Sequence, residues 1–531
     1  MRALAAAGFA ILALVGVATP ARADDDDRTL LHLLSRATFG PRPNDIVRVR
    51  RMGASAWLES QLHPARIEDA ATETALRDLA SVRMSIPDLL REYPRPDPKL
   101  REQAKNGEMT RREVMDRYPP EKRPSRIVAE LQAARLVRAV TSERQLQEVM
   151  VDFWFNHFNV FAPKGAVLWY VTDYERTVIR PHALGTFPDL VRASARHPAM
   201  LFYLDNWLSA KPDFVVPAGP NRGRTAGLNE NYARELMELH TLGVDSGYTQ
   251  KDVTEVARAF TGWSIERPRQ DGRFVFRPRV HDDGEKIVLG TRLPALGGRR
   301  DGERVIEILV RHPATARFIA TKLVRRFVSD APPPALVSQV ADVYLRTGGE
   351  VTSMLRTVFA SSEFAAAGAE RAKIKKPLEF VASAVRALGG TVDARGGFAL
   401  ARAAGEIGET LYGAPPPTGW PDRAEAWVNA GTLLARMNFA AALVEARLPG
   451  VRVDTAALVP GAPARDPRVI LDQLLDALLH GRASADTRRV IEAQLGDPRI
   501  TRLSPDDRGP ARPDVEKLTV LVLGSPEFQR R

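Results

Sequence analysis

The sequence predicts a mainly α, multi-helix globular protein with an inserted β-hairpin, on three observations. Most of the chain spaces its apolar residues at helical rather than alternating intervals. Proline and small polar residues stand where those stretches begin, as first-turn and capping residues do. Only one region, 273–290, alternates in the manner of paired strands. Composition agrees: 531 residues with 44% hydrophobic and 27% charged residues are enough chain for a real core and too apolar for a disordered protein.

From the N-terminus, Met1-Arg2 precedes an uninterrupted apolar run at 3–18, which Thr19-Pro20 breaks before Ala21-Arg22-Ala23. This is the pattern of a secretory signal peptide at 1–23 with cleavage after Ala23. The run is shorter than the roughly 20 apolar residues that a membrane span needs. The protein is therefore expected to be exported to the periplasm or the extracellular medium, with no membrane span after cleavage. Helical periodicity then covers 29–34 and 46–62 around the turn Phe39-Gly40-Pro41-Arg42-Pro43, with Asn44 placed to cap the second helix. A charged, proline-interrupted stretch at 91–126 reads as a surface excursion with short helices. Residues 127–158 hold one long or two stacked helices, and 209–228 read as an exposed loop.

These elements make up a first helical region, 24–265. The insertion, 266–300, pairs Arg273-Phe274-Val275-Phe276 with Lys286-Ile287-Val288-Leu289-Gly290 across the turn residues His281-Asp282-Asp283-Gly284. A second helical region, 301–531, follows with helices at 302–311, 313–328, 334–347 and 351–359. Pro313 and Pro334 suit first helical turns. Phe359-Ala360-Ser361-Ser362-Glu363-Phe364 echoes Leu523-Gly524-Ser525-Pro526-Glu527-Phe528, a likeness that serine capping alone could generate.

Two classes of function are disfavoured at once. The absence of cysteine removes disulfides, thiolate metal sites, iron–sulfur clusters, thiol catalysis and lipid attachment through a cysteine. The formal charge of +11 loses two units with Arg2 and Arg22 on cleavage. No basic block with interleaved aromatics and no helix-turn-helix signature accompanies it, so no nucleic-acid partner is expected. In an exported protein such a surplus suits an anionic polymer, or no more than a solvated arginine-rich face.

Chemistry is expected in two segments. In 145–158, a wheel at about 100° per residue puts Leu146, Val149, Met150, Phe153 and His157 on one face, so His157 is either a hydrogen-bonded core histidine or a ligand or base. In 229–243, Asn229 can cap, Gly243 can terminate, and Asn231, Glu235 and Glu238 fall within about 60° of each other, with His240 nearly opposite Glu238. The bland account is a solvated face with i,i+4 pairs Glu230–Arg234 and Arg234–Glu238. Against it, Thr249 and Asp252 have capping-box spacing for a following helix. The resulting helical hairpin could carry Glu235 or Glu238 to His157, and such a cluster could hold a divalent metal or serve as acid and base. Trp420, among Pro417, Gly419 and Pro421, is either a sugar-stacking platform or a plug between helices.

Several strings together are similar to the bacterial domain of unknown function 1800 family. They are Arg36-Ala37-Thr38-Phe39-Gly40-Pro41, Phe153-Trp154-Phe155-Asn156-His157-Phe158, residues 229–243 with Gly247-Tyr248-Thr249-Gln250, and Thr261-Gly262-Trp263. Also matching are His281-Asp282 with Gly284 and Lys286, Lys373-Ile374-Lys375-Lys376-Pro377-Leu378-Glu379-Phe380, Pro417-Thr418-Gly419-Trp420-Pro421, and Arg436-Met437-Asn438-Phe439. The resemblance spans nearly the whole mature chain. It implies a large exported bacterial protein, often encoded beside an exported sulfatase-like or phosphatase-like protein, and no particular reaction. It strengthens Asn229, Glu230, Glu235, His240 and His281 as site residues. Phe155 stands where many relatives have a second His, which weakens any mechanism that needs a His pair there.

No G-x-S-x-G elbow, phosphate-binding loop, dinucleotide fingerprint or H-E-x-x-H motif is present. Two readings follow. In the first, the protein binds an envelope or extracellular polymer, or an exported sulfatase-like partner. In the second it is a hydrolase, possibly metal-assisted, with His157, Glu235 and His240 catalytic. Asn229, Glu230 and Trp420 would contact substrate, and where a divalent metal takes part its ligands would be His157, Glu235, Glu238 and His281.

Overall fold

Helix starts follow the capping chemistry of the sequence. Thr249 and Asp252 form a reciprocal capping box, Pro313 and Pro334 open their helices, and Asn429, Asp393 and Ser484 accept backbone N–H groups at theirs. The computed structural model describes residues 27–217, 222–244, 246–461, 466–495 and 514–531. The signal peptide expected at 1–23 lies outside them.

The fold is mainly α, with short two-stranded hairpins between helices. Residues 127–158 form two helices, Ser125–Thr141 and Gln145–His157, separated by a short break that Gln145 spans by donating to the carbonyls of Ala139 and Ser142. Ser125–Thr141 is buried along nearly all of its length beneath Ala394–Ile407 and Pro377–Ala387. Gly397 makes that approach close, since a β-carbon there would lie 2.7 Å from the Ala133 carbonyl. Pro313–Phe327, Pro334–Thr347 and Val351–Phe359 pack successively on one another, and Val515–Leu523 docks on Ala430–Val444 and Pro467–Leu479. One apolar cluster runs through all of these, from Leu30 to Phe528. Among the described residues no helix is long and apolar enough to cross a membrane.

Three local expectations are corrected. Asn44 stands before Asp45–Met52 with φ of 69° and makes no side-chain cap; the Asp45 carboxylate instead accepts the Arg42 N–H at 2.8 Å. The 46–62 stretch is broken at Gly53, whose φ of 88° ends one helix and starts the next. The single inserted hairpin is two. Arg273–Phe276 pairs backwards with Trp263–Glu266, and Lys286–Val288 pairs forwards with Thr291–Leu293. The reason lies in the turns: Leu289 and Gly290 both adopt left-handed backbone, the two-residue connection that joins antiparallel strands tightly. Pro278–Val280 is a helical turn that steers the chain away from the pairing expected between 273–276 and 286–290.

Both halves of the internal echo are serine-capped. Ser361 accepts the Phe364 N–H at 3.1 Å and Ser525 accepts the Phe528 N–H at 3.3 Å.

Candidate functional site

The Gln145–His157 helix is buried on almost every face, including Glu148, Asp152 and His157. Burying carboxylates demands partners, and the surrounding helices supply them. Arg180 pairs with Glu148 at 2.6 Å and Arg135 with Glu175 at 2.6 Å; the Tyr412 hydroxyl also donates to Glu175. Burial alone would raise the Glu175 carboxyl, but Arg135, Arg180 and Arg138 hold it down at about 2. Lys376, delivered by the extended residues before Pro377–Ala387, reaches Asp152 at 3.0 Å and Glu409 at 3.2 Å. Burial raises the Glu409 carboxyl and nearby Asp152 adds to this, while Lys376 opposes it.

Asp152 and Asn156 lie one helical turn apart and border two adjoining hollows. The narrower, about 20 Å3, is walled by Asp152, Asn156, Glu409, Tyr412 and Trp420. Asn156 holds its rim: its amide donates to the Trp420 carbonyl at 2.8 Å and accepts the Trp420 N–H at 2.7 Å. Gly419 passes so close that a β-carbon would sit 2.5 Å from the Asn156 carbonyl oxygen. Trp420 itself is half-buried against Trp427, its indole N–H directed at the Thr410 carbonyl.

The larger hollow, about 50 Å3, is bordered by Asp152, Phe153, Asn156 and His157 from this helix, by Lys322, Arg325 and Arg326 from Pro313–Phe327, and by Lys376 and Asp422. It thus joins the segments Phe153 to Phe158, Lys373 to Phe380 and the end of the Trp420 turn. Its cations are unevenly matched. Lys376 is paired as described, and Arg326 with Glu379. Asp422 is taken by Lys373 at 3.3 Å. Neither Lys322 nor Arg325 makes an ion pair or side-chain hydrogen bond with any described residue; Lys322 only stands over the Phe318 ring. Burial, with Arg325 beside it, lowers the Lys322 ammonium to about 8, against the pull of Asp422.

His157 completes this wall. Its Nε2 lies 3.1 Å from the His240 carbonyl oxygen, which can only accept, so Nε2 carries the proton. Nδ1 is buried without a partner. Burial, then Lys322 and His240, keeps His157 well below the ordinary imidazole range, and burial and Lys322 press His240 to about 3. Both rings are neutral at physiological pH, and Nδ1 of His157 is a bare acceptor.

The sequence-predicted residues fall in separate places. His157 and His240 meet, with ring centroids 6.3 Å apart. They do so because Glu230–Glu235 continues into a π-helical turn, Leu236–Thr241, that lies against Pro313–Phe327. Glu235 and Glu238 are on the partly exposed side of this turn. Burial and Glu238 raise the Glu235 carboxyl, and Glu238 pairs with Arg234 at 3.4 Å. Glu230 does not pair with Arg234 as its spacing suggested; it accepts from Gln250 at 2.7 Å and Thr254 at 2.9 Å, which ties the two helices of the hairpin together. Asn229 is a cap, accepting the Tyr232 N–H and donating to the Leu204 carbonyl. His281 is fully buried elsewhere, Nδ1 2.7 Å from the Thr261 carbonyl oxygen and Nε2 3.2 Å from Asp301, which also takes Lys286 at 2.7 Å.

The metal set His157, Glu235, Glu238 and His281 is therefore not assembled. Among the described residues no three His, Asp or Glu side chains are grouped to hold a metal ion. The helical hairpin does form, but it presents a histidine rather than a carboxylate to His157. Sequence reasoning passed over Asp152, Lys322, Arg325, Lys376 and Asp422. The i,i+4 spacing of Asp152 and Asn156, beside that of Phe153 and His157, was the signal available for the first.

Comparison with curated proteins and with solved structures gives no match. The family model described as protein of unknown function (DUF1800) matches residues 32–530. A match over nearly the whole chain, taking in every segment that borders the two hollows, places this protein in the DUF1800 family.

Proposed function

We propose that the protein is exported and binds an anionic, hydroxyl-bearing polymer, of the kind an acidic polysaccharide of the envelope or extracellular medium presents. The observation that carries this reading is the pairing, in one 50 Å3 hollow, of two cations without counter-ions and a bare histidine acceptor. Lys322 and Arg325 would neutralise an anionic group, and His157 Nδ1 would accept a hydroxyl hydrogen beside it. A uronate or a sulfated sugar offers both on neighbouring carbons, and at about 50 Å3 the hollow would admit that anionic group and hydroxyl while the rest of the sugar stays outside. The leader at 1–23 and the basic balance of the chain support the location and the sign of the ligand.

A hydrolase built on the same residues has one observation in its favour, the free Nδ1, which could act as a base. Burial and Lys322 hold that imidazole so far below its ordinary range that it is a poor proton acceptor at neutral pH, so binding is the better reading.

The test is calorimetric titration of the mature protein with an oligouronate and with a neutral oligosaccharide of equal length. Saturable binding of the oligouronate alone is expected, weakened about tenfold or more, roughly 1.4 kcal/mol, by Lys322→Met or Arg325→Gln. Equal binding of the neutral sugar, or unchanged affinity in both variants, would overturn the proposal. Release of shortened products would return the hydrolase reading.

A further inference from the structure

On the far side of the Lys373–Lys376 run from the hollow just described lies another cavity, of about 60 Å3. Its roof is the first helix, Asp27–Ala37, with the Thr38–Pro41 turn; its floor comes from Pro377–Ala387, the end of Pro467–Leu479 and the C-terminal residues. Alternation along the extended run explains the split: Lys376 enters the Asp152 hollow, and Lys375 enters this one.

Lys375 is 8% exposed. Its ammonium lies 3.9 Å from the centre of the Phe528 ring and makes no ion pair or hydrogen bond with any described residue. The carboxylates around the cavity are already committed. Glu370 holds Arg28 and Arg482, Glu379 holds Arg326 and Arg531, and Glu527 accepts from the Ser484 N–H and the Thr487 hydroxyl. Arg371, also on the wall, donates only to the neutral carbonyls of Arg482 and Leu479. Burying a cation this deeply without a counter-charge is unfavourable, and the ring face of Phe528 offsets only part of it.

The titration of the neighbours carries the same sign. Burial and then Arg436, Arg371 and Arg531 lower the Lys375 ammonium to about 7 although Glu379 opposes them, and burial with Arg371 and Arg482 presses His480 to about 4. The cavity is positive and short of an anion.

The remaining lining selects among anions. Leu31, Phe39, Leu478, Leu479 and Phe528 make much of the wall apolar. A multiply charged, strongly hydrated phosphate or sulfate would lose much of its hydration against such a wall, whereas a carboxylate on a short hydrocarbon body matches both halves. The volume is less than half of the roughly 150 Å3 in which an apolar cavity takes up benzene, which suits a body of two or three carbons. Exposed Arg530 on the lining marks the route to solvent.

We infer that this cavity is a second binding site, separate from the polymer site, for a small organic carboxylate held by the Lys375 ammonium over an apolar floor. It does not depend on the polymer reading, because none of its lining residues borders the Asp152 hollow.

The test titrates the full mature chain with sodium propionate, with inorganic phosphate and with sodium chloride at matched ionic strength. Propionate is expected to bind saturably in the millimolar range and more tightly than phosphate. Lys375→Met is expected to weaken it about tenfold or more, and Lys322→Met to leave it unchanged. Heat no larger than chloride gives, tighter binding of phosphate, or wild-type affinity in Lys375→Met would each overturn the assignment. Loss of propionate binding in Lys322→Met alone would move the event to the polymer site and equally overturn it. If Lys375→Met does not fold, the wild-type protein carries the test through acetylation by acetic anhydride read by mass spectrometry. Propionate at twice its Kd should slow acetylation of Lys375 about threefold while sparing the rate at Lys322. Equal protection of both lysines would refute the site.

Discussion

His157 gives its Nε2 hydrogen to the backbone carbonyl of His240, 3.1 Å away, and so fixes its own tautomer through the main chain of a second histidine. The side chain of His240 takes no part in this bond and keeps Nε2 buried without a partner. Two neutral imidazoles packed into the core near Lys322, their rings tilted 54° to each other, are tolerated only while they remain neutral, which makes acid the natural probe of this region.

Stability should accordingly fall on acidification. His240 is held at about 3, and His32 and His480 at about 4, against roughly 6.5 for a free imidazole. The unfolded chain takes up these protons first, so their contribution is complete above about pH 6.5 and is lost as the pH drops towards 4. Chemical denaturation of wild type and His240→Met at pH 7.5 and 5.0 is expected to give the smaller fall in the variant. Equal falls would show that His240 is not buried neutral.

Replacing Arg135 by Met should be among the most damaging single changes. Glu175 would stay buried with Tyr412 and Arg180 but without its main counter-ion, at 2% side-chain exposure. A loss of about 3–5 kcal/mol is expected, larger than that of the double variant with Glu175→Gln, because the uncompensated charge is what destabilises. A double variant less stable than Arg135→Met would contradict this.

Gly419 and Gly348 offer a matched pair. Their φ angles are 70° and 68°, but a β-carbon at Gly419 would strike the carbonyl and side-chain oxygens of Asn156 at 2.5 Å, while at Gly348 it meets nothing within 4 Å. Gly348→Ala should show backbone strain alone, about 1 kcal/mol, and Gly419→Ala that strain plus displacement of the Trp420 turn, about 2 kcal/mol or more. Denaturant midpoints compare them directly, and similar shifts would remove the close contact from the account.

Glu235→Gln should leave oligouronate affinity within about twofold, since the carboxylate lies outside the hollow, and should raise stability slightly at pH 7, by about 0.5 kcal/mol or less after solvent screening, by removing a half-buried charge and its repulsion from Glu238. A large loss of binding would bring the 229–243 segment back as the ligand site.

Much of the architecture was legible because it is local. The cap at Thr249, the first-turn Pro313, the helix ends at Thr347 and Phe359, and the core side of His157 all follow from periodicity and neighbours within four residues. Strand pairing was not, because Arg273–Phe276 alternates equally well for a partner on either side, and the choice rests on left-handed backbone at Leu289 and Gly290. The candidate site was half legible. His157 and Trp420 stand out as rare residue types in odd settings, whereas nothing local distinguishes Lys322 and Arg325, and Lys376 is marked only by the family-like string that holds it; helices distant in sequence bring the three together.

The π-helical turn at Leu236–Thr241 has a consequence for how this protein could change. Such a turn is an α-helix carrying one surplus residue, so deleting a single codon within it would let the segment relax to regular geometry and re-aim the residues inside the turn, His240 among them, while the flanking segments keep their register. His240 would leave its seat below His157, and the carbonyl that fixes the imidazole would go with it. The hollow beside His157 thus depends on a length in the chain as much as on the identity of any residue in its wall.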